Sequence, residues 1–351
     1  MQGPAGPVHS KRIKEKGNQG VNMKNFPKIL ASTLVAVSSM SGMAVSAQAQ
    51  DYPEKPITIV IPYAPGGSTD VLGRILSQSM SKFLKQTIVV ENVGGAGGTL
   101  GSARVARANA DGYTILFHNA GHAAAPALYN RLPYDPQTSF EPIGSVADVP
   151  MILVARKNFP ANNYSELAAY AKANPDKVLL ANAGTGATSH LCGVLFNNVT
   201  GLKTTLVPYK GTGPALNDIA GGHVDMICDQ PASTTSFIKQ GTLKGIAVAT
   251  KERIPTLKDV PTFAESGLKN FELYVWHGLY APKGTPPVAL KKINAALQHA
   301  LSDEEVVSKF DGLGAKPAEK AAQTPEGLHK LLASETARLS AALKTANVAK
   351  Q

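Results

Sequence analysis

Residues 57–74, ITIVIPYAPGGSTDVLGR, constrain this chain more than any other stretch. A β-branched run from Ile57 to Ile61 stops at Pro62 and Pro65, turns through Gly66-Gly67, and restarts as a helix opened by Ser68, Thr69 or Asp70. Strand, glycine turn and helix N-terminus in that order predict an α/β fold. They also set unpaired N–H groups and the positive end of a helix dipole against whatever the glycines let approach. An anion suits such a junction. Residues 178–191, VLLANAGTGATSHL, repeat the plan: an apolar strand, then Gly184-Thr185-Gly186, then Ala187 and a helix opened by Thr188 or Ser189. Ligands of open α/β sheets collect at strand carboxyl ends, so two such junctions suggest two halves facing one ligand.

The pattern between and beyond them fits two α/β lobes. Strands at 57–63, 87–92 and 113–118 alternate with helices at 69–84 and 98–108, which predicts a parallel, doubly wound sheet. Residues 140–156 read as one long extended crossover. A second alternation follows: helix 164–173, strand 178–182, helix 188–199, strand 204–209, helix 213–221 and strand 224–228. The run 243–250 carries the chain back, to strand 272–281 and amphipathic helices at 286–301, 303–310 and 325–345 that clad the first lobe. The expected boundaries are 50–153 for the first part of lobe 1, 154–248 for lobe 2, and 249–351 for the rest of lobe 1. Two lobes joined by two crossovers describe a hinged clamp that closes on a bridging ligand.

The segment ahead of residue 50 reads as an export signal. Lys24 and Lys28 form a basic start, 29–45 is an apolar core diluted with serines, and Ala47-Gln48-Ala49 is a small-x-small cleavage signal, with the cut expected after Ala49. Residues 1–22 are polar and unpatterned, and Met23 makes a better start for such a signal. This segment also inflates the formal charge of +10. Removing its six basic residues and one acidic residue from 35 and 25 leaves +5, with no dense basic run, so nucleic acid is not an expected partner. An exported chain puts Cys192 and Cys228 in an oxidising compartment, where they either pair or stay as two buried thiols.

Other features are weighed and set aside. Gly94-Gly95-Ala96-Gly97-Gly98-Thr99-Leu100-Gly101 lacks the third glycine of a dinucleotide fingerprint, because Leu100 stands there, so no nucleotide cofactor is expected. His118-Asn119-Ala120-Gly121-His122 reads as a loop after a strand, its histidines beside a pocket. No spacing suggests a metal.

Several segments together resemble the Bug family, the extracytoplasmic solute receptors of tripartite tricarboxylate transporters. They are Pro65-Gly66-Gly67-Ser68-Thr69-Asp70, the 93–101 glycine turn, Ala110-Asp111-Gly112-Tyr113-Thr114, Leu132-Pro133-Tyr134-Asp135-Pro136, Gly184-Thr185-Gly186, Pro208-Tyr209-Lys210-Gly211, and Trp276-His277-Gly278 with 281–286. The resemblance runs from about residue 52 to 346. It implies a periplasmic binding protein of the two-lobed, type II kind that grips a small organic carboxylate. The grip uses backbone amides, hydroxyls and water from Gly66, Gly67, Ser68, Thr69 and Asp70 in one lobe. In the other lobe it uses Gly184, Thr185, Gly186, Ala187, Thr188 and Ser189, with His190 as either a contact or a packing residue. Membrane permease subunits are the implied partner, and a monomer without cofactor is expected.

Neither loop holds Lys or Arg, which agrees with a grip by neutral donors. Asp70 reads as a helix cap or a water-holding residue. Specificity is expected from His118, Asn119 and His122, and from Asp229, Gln230 and Pro231. Trp276 reads as core packing before cleft lining. Two other uses are weighed: the sensor of a signalling kinase on the same fold, and an exported hydrolase, against which stand the missing Gly-x-Ser-x-Gly elbow and the lack of readable partners for Ser68.

Overall fold

The computed structural model describes residues 52–346 and 348–351, and the expected export signal with its cut after Ala49 lies outside them. Eleven strands and ten α-helices among the described residues alternate for most of the chain. Lobe 1 opens with β1 (Ile57–Ile61), α1 (Ser68–Leu84), β2 (Ile88–Asn92), α2 (Thr99–Ala106), β3 (Thr114–Asn119), α3 (Gly121–Leu128) and β4 (Phe140–Pro150). Lobe 2 holds β5 (Ile152–Arg156), α4 (Tyr164–Ala173), β6 (Leu179–Asn182), α5 (Thr188–Thr200), β7 (Thr205–Pro208), α6 (Thr212–Ala220), β8 (Met226–Asp229), α7 (Pro231–Lys239) and β9 (Leu243–Val248). The chain then returns to lobe 1 with β10 (Tyr274–Pro282), α8 (Pro287–Ser302), α9 (Glu304–Gly312), β11 (Lys316–Pro317) and α10 (Pro325–Thr345).

Two sheets result, in the strand orders β11-β4-β10-β3-β1-β2 and β7-β6-β8-β5-β9. The expected parallel sheets are in fact mixed. Strands β1, β2 and β3 pair in parallel, as do β6, β7 and β8, but β10 runs antiparallel between β3 and β4, and β5 antiparallel between β8 and β9. The departures come from the strands next to the crossovers, because a chain that enters or leaves a lobe without a helix has no βαβ unit to hold it parallel.

The 140–156 run, expected as one crossover, is two strands that part at Met151. There the backbone is tied in three places: Met151 N–H donates to Leu273 O at 2.9 Å, Ala249 N–H to Met151 O at 2.8 Å, and Leu273 N–H to Ala249 O at 3.0 Å. Both crossings therefore meet at one knot, with Met151 and Ala249 buried.

β1 is buried on both faces, Ile57, Ile59, Val60 and Ile61 alike, as a central strand flanked by helices must be. α1 lays Leu72, Leu76 and Met80 on the sheet at helical spacing. It can lie close because Gly73 has no side chain; a Cβ there would come within 2.8 Å of Ile61 Cδ1. α8, α9 and α10 pack on lobe 1, against α1, β4 and α3. The open question of the cysteines resolves as a disulfide: Cys192 in α5 is bonded to Cys228 in β8.

The chain from 118 to 122 is a correction to the expected loop. His118 and Asn119 end β3, and α3 begins at once with Gly121, an Ala-rich helix whose polar N-cap signal is absent. His122 is fully buried in α3, stacked on Tyr134 at 5.7 Å between ring centroids, with Phe140 edge-on and Tyr280 tilted at 5.0 Å each, so it belongs to the core of lobe 1 and not to a pocket rim.

Candidate functional site

A cavity lies between the lobes, where four helices begin. Lobe 1 lines it with Tyr63, Gly67, Ser68, Thr69 and Asn119. Lobe 2 contributes Ala183, Ala187, Thr188, Thr212, Asp229 and Gln230. These residues stand at the strand-to-helix junctions that start α1, α5, α6 and α7, so the first amides of each helix, which have no carbonyl a turn behind them, surround one space. Four dipole ends of the same sign make that space attractive to an anion.

The lobe 1 wall is held by a hydrogen-bond network around Asn119. Its Oδ1 accepts from Tyr63 Oη at 3.1 Å and from Gly121 N–H at 3.0 Å, and its Nδ2 donates to Thr69 Oγ1 at 3.1 Å. Thr69 Oγ1 in turn lies 3.3 Å from His277 Nε2. The amide orientation of Asn119 is thus determined, and with it the hydroxyls that face the cavity. Burial holds the Tyr63 hydroxyl well above the usual phenol range, so it stays a donor.

Asp229 is the one charged side chain of the lining. Its Oδ1 accepts from Gln230 N–H at 2.7 Å and its Oδ2 from Thr212 Oγ1 at 2.5 Å. Burial pushes its carboxyl up to about 6, against those hydrogen bonds, which favour the charged form. Beside it, Gln230 is buried with both Nε2 and Oε1 lacking a hydrogen-bond partner among the described residues.

Eight of the sequence candidates support this cavity without lining it. Asp70 accepts from Gly66 N–H at 3.0 Å and from Asn92 Nδ2 at 2.9 Å, and pairs with Arg74 at 2.9 Å. Burial opposes its charge, but Arg74, Gly66 and Asn92 outweigh it and hold the carboxyl below its ordinary value. Asp70 therefore pins the glycine turn, and Gly66 N–H is spent on it. In the other lobe, Ser189 Oγ accepts from Ala183 N–H at 2.8 Å and His190 Nδ1 from Gly186 N–H at 3.3 Å, bracing the loop from behind. His118 lies beneath the wall, its Nδ1 accepting from Asn119 N–H at 2.8 Å; burial, then the neighbouring His122, pull its pKa well below the ordinary value.

Gly184, Thr185 and Gly186 meet lobe 1 rather than the cavity. Thr185 O accepts from Tyr129 Oη at 2.6 Å, and a Cβ on Gly97 would collide with that same carbonyl. On the opposite side Ala64 N–H donates to Lys210 O at 3.3 Å, and a Cβ on Gly213 would collide with Pro65 O. Ser68 Oγ lies 3.1 Å from Ser233 Oγ across the gap. The lobes are in backbone contact on both sides, which is the closed arrangement of a clamp.

Three lining residues lie outside the sequence candidates: Tyr63, Ala183 and Thr212. The signal for Thr212 was present, since Pro208-Tyr209-Lys210-Gly211-Thr212 is a third strand–turn–helix junction of the same plan. Trp276 is buried in lobe 1 with Nε1 donating to Glu335 Oε2 at 3.3 Å. Among the described residues no three His, Cys, Asp or Glu side chains gather as a metal centre would need.

Residues 72–348 match the family described as Tripartite tricarboxylate transporter family receptor. The solved periplasmic binding protein BugD is 48% identical, with a TM-score of 0.83 over 86% of this chain and 100% of its own. MatC of Rhodopseudomonas palustris, described with bound malate, is 38% identical with a TM-score of 0.79 over 83% of this chain and 99% of its own. A second R. palustris protein, Rpa4515, described with adipate, is 32% identical with a TM-score of 0.81 over 86% of this chain and 100% of its own.

Proposed function

The chain belongs to the tripartite tricarboxylate transporter receptor family, in its Bug group, and we propose that it is a periplasmic receptor that closes two lobes over a small organic carboxylate and passes it to permease subunits in the membrane. The observation that carries this reading is the convergence of the α1, α5, α6 and α7 N-termini on one cavity whose lining holds no Lys, Arg or His. Backbone N–H groups and hydroxyls in a cleft of lowered dielectric bind a carboxylate more strongly than they would in water, each helix end adding roughly 0.3–1 kcal/mol and up to about 2 when partly buried. Two relatives are described with malate and with adipate, both carboxylates.

The same reading assigns the protein no reaction. Ser68 Oγ faces Ser233 Oγ, and its neighbour Thr69, not Ser68, is the hydroxyl near a histidine. A thermal-shift screen of the purified protein against mono- and dicarboxylates and their matched amides tests the proposal. Acids raise the melting temperature in proportion to the logarithm of their concentration over Kd, and the amides do not. Equal shifts from acids and amides would remove the anion site.

A further inference from the structure

Residues 348–351 follow α10 and lie along the end of α3, so they belong to lobe 1. Val348 N–H donates to Leu343 O at 3.1 Å, and Lys350 Nζ to Pro126 O at 3.0 Å. Gln351 N–H donates to Leu128 O at 2.8 Å, and Asn130 N–H donates back to Gln351 O at 2.8 Å. These two bonds flank Tyr129, whose Oη donates to Thr185 O of lobe 2 at 2.6 Å. The Gln351 side chain crosses to the same residue, its Nε2 donating to Thr185 Oγ1 at 3.0 Å. Thr185 is thus held by lobe 1 at its carbonyl and at its hydroxyl, two residues before Ala187 of the cavity lining.

Resting on the receptor reading above, we propose that residues 348–351 are a strap of lobe 1 that latches lobe 2 and lengthens the stay of a solute in the cleft. The bonds of the strap to Pro126, Leu128 and Asn130 join lobe 1 to itself, so they persist when the clamp opens and cancel between the two states. The bonds from Gln351 and Tyr129 to Thr185 exist only in the closed state, and a difference between states is what shifts an equilibrium. The strap serves both of them. Gln351 makes one directly, and by tying the backbone on either side of Tyr129 it positions the hydroxyl that makes the other. A single neutral hydrogen bond of this kind is worth roughly a three- to tenfold change in an equilibrium constant. Because it forms after the solute has entered, it acts on release rather than on capture.

Stopped-flow association and dissociation with malate and adipate as probes decide it. Gln351→Ala releases the bound acid about three- to tenfold faster, with association unchanged and the melting temperature of the solute-free protein within about 1 °C. Thr185→Ala removes the same bond from the other side and gives the same acceleration. The double variant, Gln351→Ala with Thr185→Ala, is no faster than either single one, a coupling that a merely structural role for the strap does not produce. Tyr129→Phe accelerates release less in a protein lacking residues 348–351 than in the full chain, because Tyr129 is then no longer held. Unchanged release in Gln351→Ala, or single accelerations that multiply in the double variant, overturn the latch and leave the carboxylate receptor intact. Binding of neither acid counts against the receptor reading instead, and the strap is then read in the solute-free protein by hydrogen exchange. The Asn130 amide exchanges at least tenfold more slowly in the full chain than in the protein lacking residues 348–351, and equal rates overturn the strap.

Discussion

Asp229 gives the clearest pH signature in the molecule. Its carboxyl, pushed up by burial to about 6, holds its proton more tightly in the folded chain than in the unfolded chain, where the value lies near the ordinary 3.8. The charged form therefore costs folding stability above about pH 6, and the cost fades as the pH falls from there toward about 4. Without solute, Asp229→Asn is expected to melt several degrees above the unaltered protein near pH 7.5, with the difference closing by about pH 4.5. Thermal scans of both proteins across that range check it, and a gap independent of pH would mean that the charge is not responsible. At this scale the sequence was partly readable. Gly67, Ser68, Thr69, Asn119, Ala187, Thr188 and Asp229 sit at strand ends and helix starts, where pattern alone places them, and they line the cavity. Tyr63 was not readable. It lies between two prolines, and what aims its hydroxyl is Asn119, a contact 56 residues away. His118 and His122 misled for the converse reason: polar side chains after a strand read as a rim, while the aromatic packing of Tyr134, Phe140 and Tyr280 that buries His122 leaves no local trace.

The helices that start at the cleft carry a second role, because their glycines are where the lobes touch. Gly213 is the instructive one. Its φ is not in the left-handed region, so alanine is tolerated by the backbone there, yet a Cβ would collide with Pro65 O of the other lobe. Gly213→Ala is therefore expected to weaken solute binding by tenfold or more while leaving the melting temperature of the solute-free protein within about 2 °C, since an open clamp escapes the clash. Titration beside a thermal scan distinguishes this from a folding defect, which would lower both. Unchanged affinity would mean that closure does not bring α6 against the first glycine turn. Most elements were legible from periodicity, α4 and α10 to the residue, because their apolar spacing and their caps at Asn163 and Thr324 are local. Helices α3 and α7 were not, since each follows its strand with almost no turn and opens without a side-chain cap. The break at Met151 was also invisible: 140–156 is extended throughout, and only the hydrogen bonds to Ala249 and Leu273 show where one sheet ends and the next begins.

For the whole molecule, the knot at Met151, Ala249 and Leu273 and the contacts across the cleft lead us to expect two lobes that turn about one hinge. A solute shifts such an equilibrium only by binding the closed form more tightly than the open one, and a cavity walled by both lobes supplies that difference. Exchange of solute then requires opening, which a covalent tie across the cleft would forbid. Ser68 and Ser233 are placed for it, with their hydroxyl oxygens 3.1 Å apart on opposite lobes, a separation from which two cysteines can bond with little backbone movement. The Ser68→Cys, Ser233→Cys double variant, oxidised before solute is added, is expected to associate at least 100-fold more slowly than the same variant reduced. Loaded with solute and then oxidised, it should retain its ligand through dialysis that empties the reduced form. The reduced variant serves as the reference because Ser68 lines the cavity, and peptide mapping confirms that the Cys192–Cys228 disulfide is kept. Stopped-flow association and ligand retention read out the two arms. If the tied protein exchanges solute as fast as the reduced one, solute enters without the lobes parting, and the hinge at Met151 has no part in capture.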